Sequence, residues 1–179
     1  MMRNGNNLSP APLGLRILLR APTLADQREF LALARASRTL HEPWVTAPST
    51  PARFRSYIAR MSKPENAAFV VCARQSGRIA GVVNISNIVL GAFRSGYLGY
   101  YAFSGFDRRG FMRSGLRAVV RHAFARLKLH RLEANIQPGN RASIGLVRAC
   151  GFAKEGYSPR YLKIGGRWRD HERWAILSS

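Results

Sequence analysis

The segment FDRRGFM, residues 106–112, combines two arginines and a glycine where a strand-like apolar pattern gives way to a helical one. Backbone N–H groups at a helix N-terminus attract anions, and a glycine there lets a phosphate approach the main chain. The guanidinium groups of Arg108 and Arg109 can add charge-assisted hydrogen bonds. The segment therefore predicts a phosphate-binding turn around Gly110, although a basic surface turn at a helix start would have the same pattern.

A second candidate lies in PGNRASIGLVRACGF, residues 138–152. Asn140 is a favourable N-cap residue, and Gly151 is a favourable residue just past the end of a helix. Ser143 follows Asn140 by three positions, so both side chains can lie on one side of the first turn and face a cleft. Capping alone also explains Asn140, and the sequence leaves both interpretations open.

Net charge limits the classes of partner. The chain has 29 Lys and Arg against 9 Asp and Glu, which gives a formal charge of +20. Such an excess attracts polyanions, including RNA, nucleotide phosphates and acidic protein surfaces. The basic residues are spread along the chain rather than collected in one tail, so we expect a folded basic surface.

The cysteines and histidines argue against a disulfide-stabilised protein and against a metalloprotein. Cys72 and Cys150 lie in apolar stretches and the four histidines are scattered, so we expect reduced cysteines, no disulfide framework and no metal site. No apolar run has the length of a signal peptide or a membrane span. We therefore expect a cytoplasmic protein with no membrane partner.

The elements that must position these residues alternate along the chain. Residues 1–14 are rich in Asn, Pro and Gly and are predicted to be disordered, and residues 15–179 are predicted to form a single domain. The predicted order is strand, two helices, three strands, helix, strand, helix and a final pair of strands turning at Gly165 and Gly166. Gly110 then joins a strand to a helix, and Asn140 begins the next helix.

Taken in order, these segments resemble the Gcn5-related N-acetyltransferase (GNAT) family, and more closely its RimJ/RimL branch of ribosomal-protein alanine N-acetyltransferases, with RimJ the closest type. The resemblance covers roughly residues 15–177. It rests on the segments GVVNISNIVLGAF, YLGYYAF, RRGFM, HRLEANIQPGNRASIGLVRACGF, KEGY and GRWRDHERWAIL, with LHEPW at the Pro-Trp segment of the RimJ type. Each motif alone is weakly specific, but their order and spacing together are specific.

The resemblance implies an α/β fold in which a mixed, mostly antiparallel seven-stranded sheet is flanked by four helices and splayed after its fourth strand. It implies acetyl-CoA as cosubstrate, with the pantetheine arm along the exposed strand edge and the pyrophosphate on the backbone of residues 108–112. The coenzyme-binding residues that it implies are Tyr101, Ala102, Phe103, Arg108, Arg109, Gly110, Phe111, Met112, Asn135, Asn140 and Ser143.

The resemblance also implies a general acid. In the RimL-like branch, the residue matching Asn140 contacts the pantetheine arm. The residue matching Ser143 hydrogen-bonds the coenzyme sulfur and can protonate the leaving thiolate. The wider family commonly has a tyrosine acid at the position of Val147, and its absence here puts that role on Ser143.

A general base is predicted among the carboxylates. Acetyl transfer to an amine needs a neutral amine, a polarised thioester carbonyl and a protonated leaving sulfur. Glu133 is the first candidate, because it shares a strand face with Asn135. Glu42 is the second, because the LHEPW segment should border the acceptor site.

The predicted function is acetyl transfer to a primary amine, first of all the N-terminal α-amine of a ribosomal protein. Trp44 and Tyr100 are expected to line the substrate cleft, whereas Asp170 and His171 are assigned a structural role. One alternative acceptor is a small amine or an aminoglycoside-like drug, which nine acids in the whole chain disfavour. Another alternative is a ribosome- or RNA-associated assembly factor with secondary catalysis, which the charge favours although no RNA-recognition motif is present. The sequence does not distinguish a monomer from a dimer.

Overall fold

A computed structural model describes residues 16–178, in which seven strands form one sheet. The segment 1–14, predicted to be disordered, lies outside the described residues. The strands are β1 (Ile17–Arg20), β2 (Ala67–Ala73), β3 (Ile79–Val89), β4 (Ser95–Ala102), β5 (Arg131–Ile136), β6 (Ala153–Ile164) and β7 (Arg167–Leu177). The helices are α1 (Gln27–Ala36), α2 (Arg38–His41), α3 (Pro51–Met61), α4 (Phe111–Ala125) and α5 (Arg141–Ala149).

The sheet is mixed and mostly antiparallel, in the order β1-β2-β3-β4-β5-β7-β6. Only β4 and β5 are parallel neighbours, and their pairing runs from Ser95 opposite Arg131 to Leu98 opposite Ala134. Beyond Leu98, β4 stays paired with β3 as far as Ala102, but no strand of residues 16–178 pairs with it on its other side. The predicted splay after the fourth strand is confirmed.

Burial of the central strands explains their composition. Val70 and Val71 of β2 and Val82 and Val83 of β3 are fully buried. Side chains on both faces of the sheet are therefore buried, which is why these strands are continuous apolar runs rather than alternating ones. In β5, by contrast, buried residues alternate with half-buried ones along the strand.

Helix α4 packs one apolar face on this sheet. Leu116, Val119 and Ala123 are fully buried, and the first turn of the helix begins at the cleft. Gly115 faces Val71, and a Cβ on Gly115 would collide with the Val71 side chain. The glycine therefore lets the helix backbone approach β2 closely.

The first helix expected from the sequence is divided in two. Its backbone turns at Ser37, whose hydroxyl donates to the Leu33 carbonyl at 2.7 Å and accepts from the Ser104 N–H at 2.9 Å. The short helix α2 that follows was not predicted, and it places His41 against β4. None of the described helices is long and apolar enough to cross a membrane.

Candidate active site

A cavity of about 1000 Å³ occupies the opening between β4 and β5. Its walls come from the end of β4, the loop before α4, the end of β5, the first turns of α5 and the region of α2. The predicted site residues that line it are Trp44, Tyr100, Tyr101, Ala102, Arg108, Gly110, Met112, Asn135, Asn140 and Ser143. The splay therefore gathers residues from five regions of the chain.

The free edge of β4 forms one wall of the cavity. The Phe103 N–H donates to the Ala80 carbonyl at 2.9 Å, so it faces β3 rather than the cavity. Because backbone direction alternates along a strand, the N–H and C=O groups of Tyr100 and Ala102 face the open side. The Ala102 carbonyl already accepts from His41 Nε2 at 2.8 Å. The Tyr100 groups and the Ala102 N–H can bind an extended ligand.

Phe103 corrects one sequence expectation. Its side chain is fully buried, and its carbonyl accepts from the Phe106 N–H at 3.1 Å. With its own N–H bound to Ala80, Phe103 has no main-chain group left for a ligand at the edge. The usable edge therefore spans Tyr100 to Ala102, one residue earlier than the sequence indicated.

The loop before α4 presents the main chain at Gly110 and one of its two arginines, Arg108, to the cavity. Gly110 is the N-cap residue of α4 and has φ of 83°, a left-handed conformation that favours glycine. Arg108 and Met112 line the cavity with it. The unpaired N–H groups of the first turn of α4 lie at this end, so the loop can hold a phosphate.

Two residues of the predicted loop turn away. The Arg109 guanidinium donates to the Gly105 carbonyl at 2.9 Å and lies 5.6 Å from the centre of the Phe111 ring. Phe111 is buried against Phe106. Neither side chain lines the cavity, whereas Arg113, one turn into α4 and not predicted, does.

Helix α5 brings Asn140 and Ser143 to the opposite wall. Asn140 Oδ1 accepts from the Ser143 N–H at 3.1 Å, so the capping interpretation of the sequence holds. The Asn140 Nδ2 group has no protein partner among the described residues and can still donate to a ligand. Capping and ligand contact therefore use different atoms of the same amide.

A tyrosine joins Ser143. The Tyr100 hydroxyl lies 2.6 Å from Ser143 Oγ, which makes a direct hydrogen bond between β4 and α5 across the cleft. Burial raises the pKa of Tyr100, so its hydroxyl stays protonated and can donate. Val147, which occupies the position of the family's common tyrosine acid, is fully buried in the core.

The side-chain oxygen of Asn135 is a candidate acceptor for a ligand. Its Oδ1 is buried without a hydrogen-bond partner among the described residues, and the residue lines the cavity at the end of β5. Buried acceptors in folded proteins are nearly always satisfied. An N–H group of a bound molecule would satisfy Asn135, so the residues present fit a coenzyme with amide groups in its arm.

Both predicted carboxylate bases lie elsewhere. Glu133 accepts from Arg131 Nε at 2.7 Å, is only 14% exposed, and does not line the cavity. Glu42 accepts from Arg38 Nε at 2.8 Å one helical turn away, and its side chain is 60% exposed. The excess of arginine explains both outcomes, because each carboxylate has a guanidinium within local reach.

Two histidines line the cavity instead. His41 reaches it from α2, and burial lowers the pKa of its imidazole. His171, assigned a structural role from the sequence, is buried in β7, and its Nδ1 lies 2.9 Å from the Arg169 carbonyl. The pairing of β7 with β5 brings it to the cleft. No local pattern around His171 signals this position.

A smaller pocket of about 470 Å³ adjoins the cleft and shares Trp44 and Gln137 with it. Tyr157 and Trp168 of the terminal hairpin form its aromatic wall, and Trp168 is 61% exposed. The Tyr157 hydroxyl donates to the Asp170 carboxylate, which is therefore already engaged. The pocket extends the cleft on the side away from the α4 loop.

Comparison with known proteins agrees with this geometry. Residues 16–153 match the family described as "Acetyltransferase (GNAT) domain". The chain is 32% identical over 173 residues to "Probable N-acetyltransferase YjcK" of Bacillus subtilis (strain 168), covering 92% of this chain and 96% of that protein. It is 43% identical over 100 residues to the ribosomal protein uS5-alanine N-acetyltransferase of Escherichia coli (strain K12), covering 56% of this chain and 52% of that enzyme.

Among solved structures, RimJ of Mycobacterium smegmatis in complex with CoA-disulfide superposes with a TM-score of 0.83 at 28% identity, covering 90% of this chain and 82% of that one. The splayed sheet, the family match over most of the chain and a full-length relative all agree. The chain therefore belongs to the GNAT family of acetyltransferases, whose members transfer an acetyl group from acetyl-CoA.

Proposed function

We propose that this protein acetylates the N-terminal α-amine of a protein, with a ribosomal protein as the acceptor. The observation that carries the proposal is that, among the described residues that line the main cavity, Asp107 at the α4 loop is the one with a carboxylate. The adjoining pocket adds Asp170, whose two oxygens already accept from Tyr157 and the Arg160 N–H. A polyamine or an aminoglycoside carries several ammonium groups and would need several carboxylates. A peptide N-terminus carries one. The match to the uS5-alanine N-acetyltransferase supports the same acceptor class.

In this proposal the main chain holds the coenzyme. The free edge at Tyr100 and Ala102 pairs with the amide groups of the pantetheine arm, and Asn140 Nδ2 and Asn135 Oδ1 contact the same arm. The N–H groups around Gly110 hold the pyrophosphate, with Arg108 and Arg113 adding positive charge. When bound there, acetyl-CoA supplies the activated acetyl group as a thioester.

The leaving thiolate needs a proton, and the Tyr100–Ser143 pair can deliver one. Ser143 Oγ is the donor to the sulfur in the proposed arrangement, and the Tyr100 hydroxyl, 2.6 Å away, replaces the proton on Ser143. This pair takes the place of the single tyrosine acid that is common in the family.

The acceptor test compares three substrates at equal concentration: a peptide with a free N-terminal alanine, the same peptide with a blocked N-terminus, and spermidine. We expect turnover of the free peptide only. Labelled acetyl-CoA with a cell lysate, followed by N-terminal mass spectrometry, should then identify ribosomal proteins. Preferential turnover of spermidine, or label only on lysine side chains, would overturn the proposed acceptor. The Ser143→Ala variant gives the background rate.

Binding to ribosomes or RNA is a second candidate function, favoured by one exposed face of α4. Arg113, Arg117 and Arg121 are exposed at successive turns of this helix. The formal net charge of the whole chain is +20, which also favours binding to a polyanion. Sedimentation with ribosomes should show binding at low salt that falls steeply as salt rises. Replacing Arg117 and Arg121 with glutamine should reduce it. Absence of the protein from the pellet at both salt concentrations would exclude this role.

A further inference from the structure

Every candidate carboxylate base in this chain is already engaged or lies away from the cleft. Ion pairs hold Asp26, Glu42, Glu133, Glu155 and Glu172. Main-chain N–H groups bind Glu29, Asp107 and Asp170. The ninth acid, Glu65, is exposed and does not line the cavity. The described residues, which include all nine acids, therefore offer no free carboxylate on the acceptor side to remove a proton from an ammonium group.

The two histidines of the cavity use different ring nitrogens for their hydrogen bonds to the main chain. A carbonyl oxygen can only accept, so His41 donates through Nε2 to the Ala102 carbonyl at 2.8 Å. His171 donates through Nδ1 to the Arg169 carbonyl at 2.9 Å. With Nδ1 donating to Arg169, the free lone pair of the His171 imidazole is on Nε2, for which no hydrogen bond is present among the described residues.

We propose that His171 is the general base of the acetyl transfer, accepting a proton at Nε2 from the acceptor ammonium. The inference rests on the proposed acceptor chemistry and adds a catalytic residue to it. His171 lines the same cavity as Ser143 and Tyr100, is only 3% exposed, and is fixed in one orientation by its Nδ1 hydrogen bond. His41, with Nε2 bound to β4, holds the strand edge instead.

The proton balance is complete with these groups. The ammonium nitrogen begins with three protons, and one moves to His171 Nε2 and then to solvent. The nitrogen lone pair forms the C–N bond to the acetyl carbon, and the C–S bond breaks with its electron pair on sulfur. A second proton leaves the nitrogen as the amide forms, and the thiolate takes one proton from the Tyr100–Ser143 pair. The pair is restored by that second proton, and the third stays on the amide.

The test is the pH profile of kcat/KM for wild type and His171→Gln with an N-terminal alanine peptide. An α-amine has a pKa of about 7.7–8.0, so without a base the rate follows the small neutral fraction at low pH. The ratio of wild-type to variant kcat/KM should be about 10²-fold or more at pH 6.5 and should fall at least about tenfold by pH 9. The ionisable neighbours of His171 are Asp170 and Glu172 on β7 and Tyr161 on β6, whose ring centre lies 6.2 Å from that of His171, and His41 lines the same cavity.

His130→Gln is the matched control, because His130 is exposed, does not line the cavity and binds Ser178. Its profile should match wild type. A second measurement needs no variant and uses wild type with two peptides that differ in α-amine pKa. The acidic limb of the kcat/KM profile should fall at the same pH for both peptides. A constant wild-type to variant ratio across pH, or a limb that moves with the amine, would overturn His171 as the base. Wild type that acetylates no peptide would instead overturn the proposed function and this inference with it.

Discussion

The two sides of the cleft are built by different means. On the proposed coenzyme side, the groups available to a ligand belong largely to the main chain, at the edge of β4 and the turn at Gly110. On the proposed acceptor side they are side chains, including Trp44, His171 and Trp168, from segments far apart in the chain. A main-chain site depends on local conformation and tolerates side-chain change, whereas a side-chain site can change its specificity by substitution.

The largest effect should come from the hydroxyl pair at the junction of the two sides. Ser143→Ala should lower kcat by about 10²–10⁴-fold, the range for general acid–base groups. Acetyl-CoA affinity should change far less, because the contact matters most as charge develops on sulfur. Steady-state kinetics and calorimetry measure the two quantities separately. A kcat within about threefold of wild type would assign Ser143 to structure.

Tyr100→Phe tests whether the pair acts as a unit. The variant keeps the ring on β4 and removes the hydroxyl that lies 2.6 Å from Ser143 Oγ. If the two hydroxyls form one relay, the double variant should lose no more activity than Ser143→Ala alone. Additive losses in kcat would show that the two hydroxyls act separately.

The coenzyme side should be most sensitive to backbone conformation at Gly110. Gly110→Val forces a branched side chain into a left-handed conformation and obstructs approach to the main chain. We expect the Kd for acetyl-CoA to rise about tenfold or more, consistent with about 1–3 kcal/mol of backbone strain and lost contact. Calorimetry is the measurement.

Gly91→Val provides the control for that substitution. Gly91 has φ of 70°, nothing lies near its Cβ position, and it does not line the cavity. It should lose stability through the same strain but keep its affinity for acetyl-CoA. Equal affinities in the two variants would place the pyrophosphate elsewhere.

His41 links α2 to the edge of β4 through its hydrogen bond to the Ala102 carbonyl. Burial lowers its pKa in the folded state, so the unfolded chain binds more protons at mildly acidic pH. The free energy of unfolding should therefore fall as pH drops below about 6.5, the pKa of an unperturbed histidine. His41→Gln should cost about 1 kcal/mol at neutral pH and reduce this acid sensitivity. Urea unfolding at pH 7.5 and 5.5 measures it, and parallel losses in both proteins would contradict it.

The smallest effect should come from the aromatic pocket beside the cleft. Trp168→Ala removes a side chain that is 61% exposed, so stability should change little. We expect a rise of about threefold in KM for the peptide, with kcat and acetyl-CoA affinity unchanged, because only ground-state contact is lost. A change in acetyl-CoA affinity of similar size would mean that the two sides are not independent.

The sequence predicted the parts of the site that depend on local signals. A glycine between a strand and a helix identified the turn at Gly110, and the cap at Asn140 followed from residue type and spacing. These features need only a few adjacent residues to specify a conformation. The strand edge was also located, apart from Phe103, where the chain turns inward one residue earlier than expected.

The sequence could not predict which side chains meet across the fold. Glu133 had the right strand and parity, but Arg131 pairs with it, and the choice of partner depends on three-dimensional placement. His171 reaches the cleft only because β7 lies between β5 and β6. The contact between Tyr100 and Ser143 joins residues 43 positions apart. Non-local pairing of this kind leaves no pattern in a single sequence.

The short parallel contact between β4 and β5 has a mechanical consequence. Four register pairs join the half-sheet β1–β4, on which α4 packs, to the half-sheet of β5, β7 and β6, on which α5 packs. The seam between them is one of the two shortest strand pairings in the sheet, and a molecule bound in the opening contacts both halves. Such a molecule would hold the two half-sheets together. Occupancy should therefore slow cleavage by proteases on both sides of the cleft together, rather than at the binding loop alone.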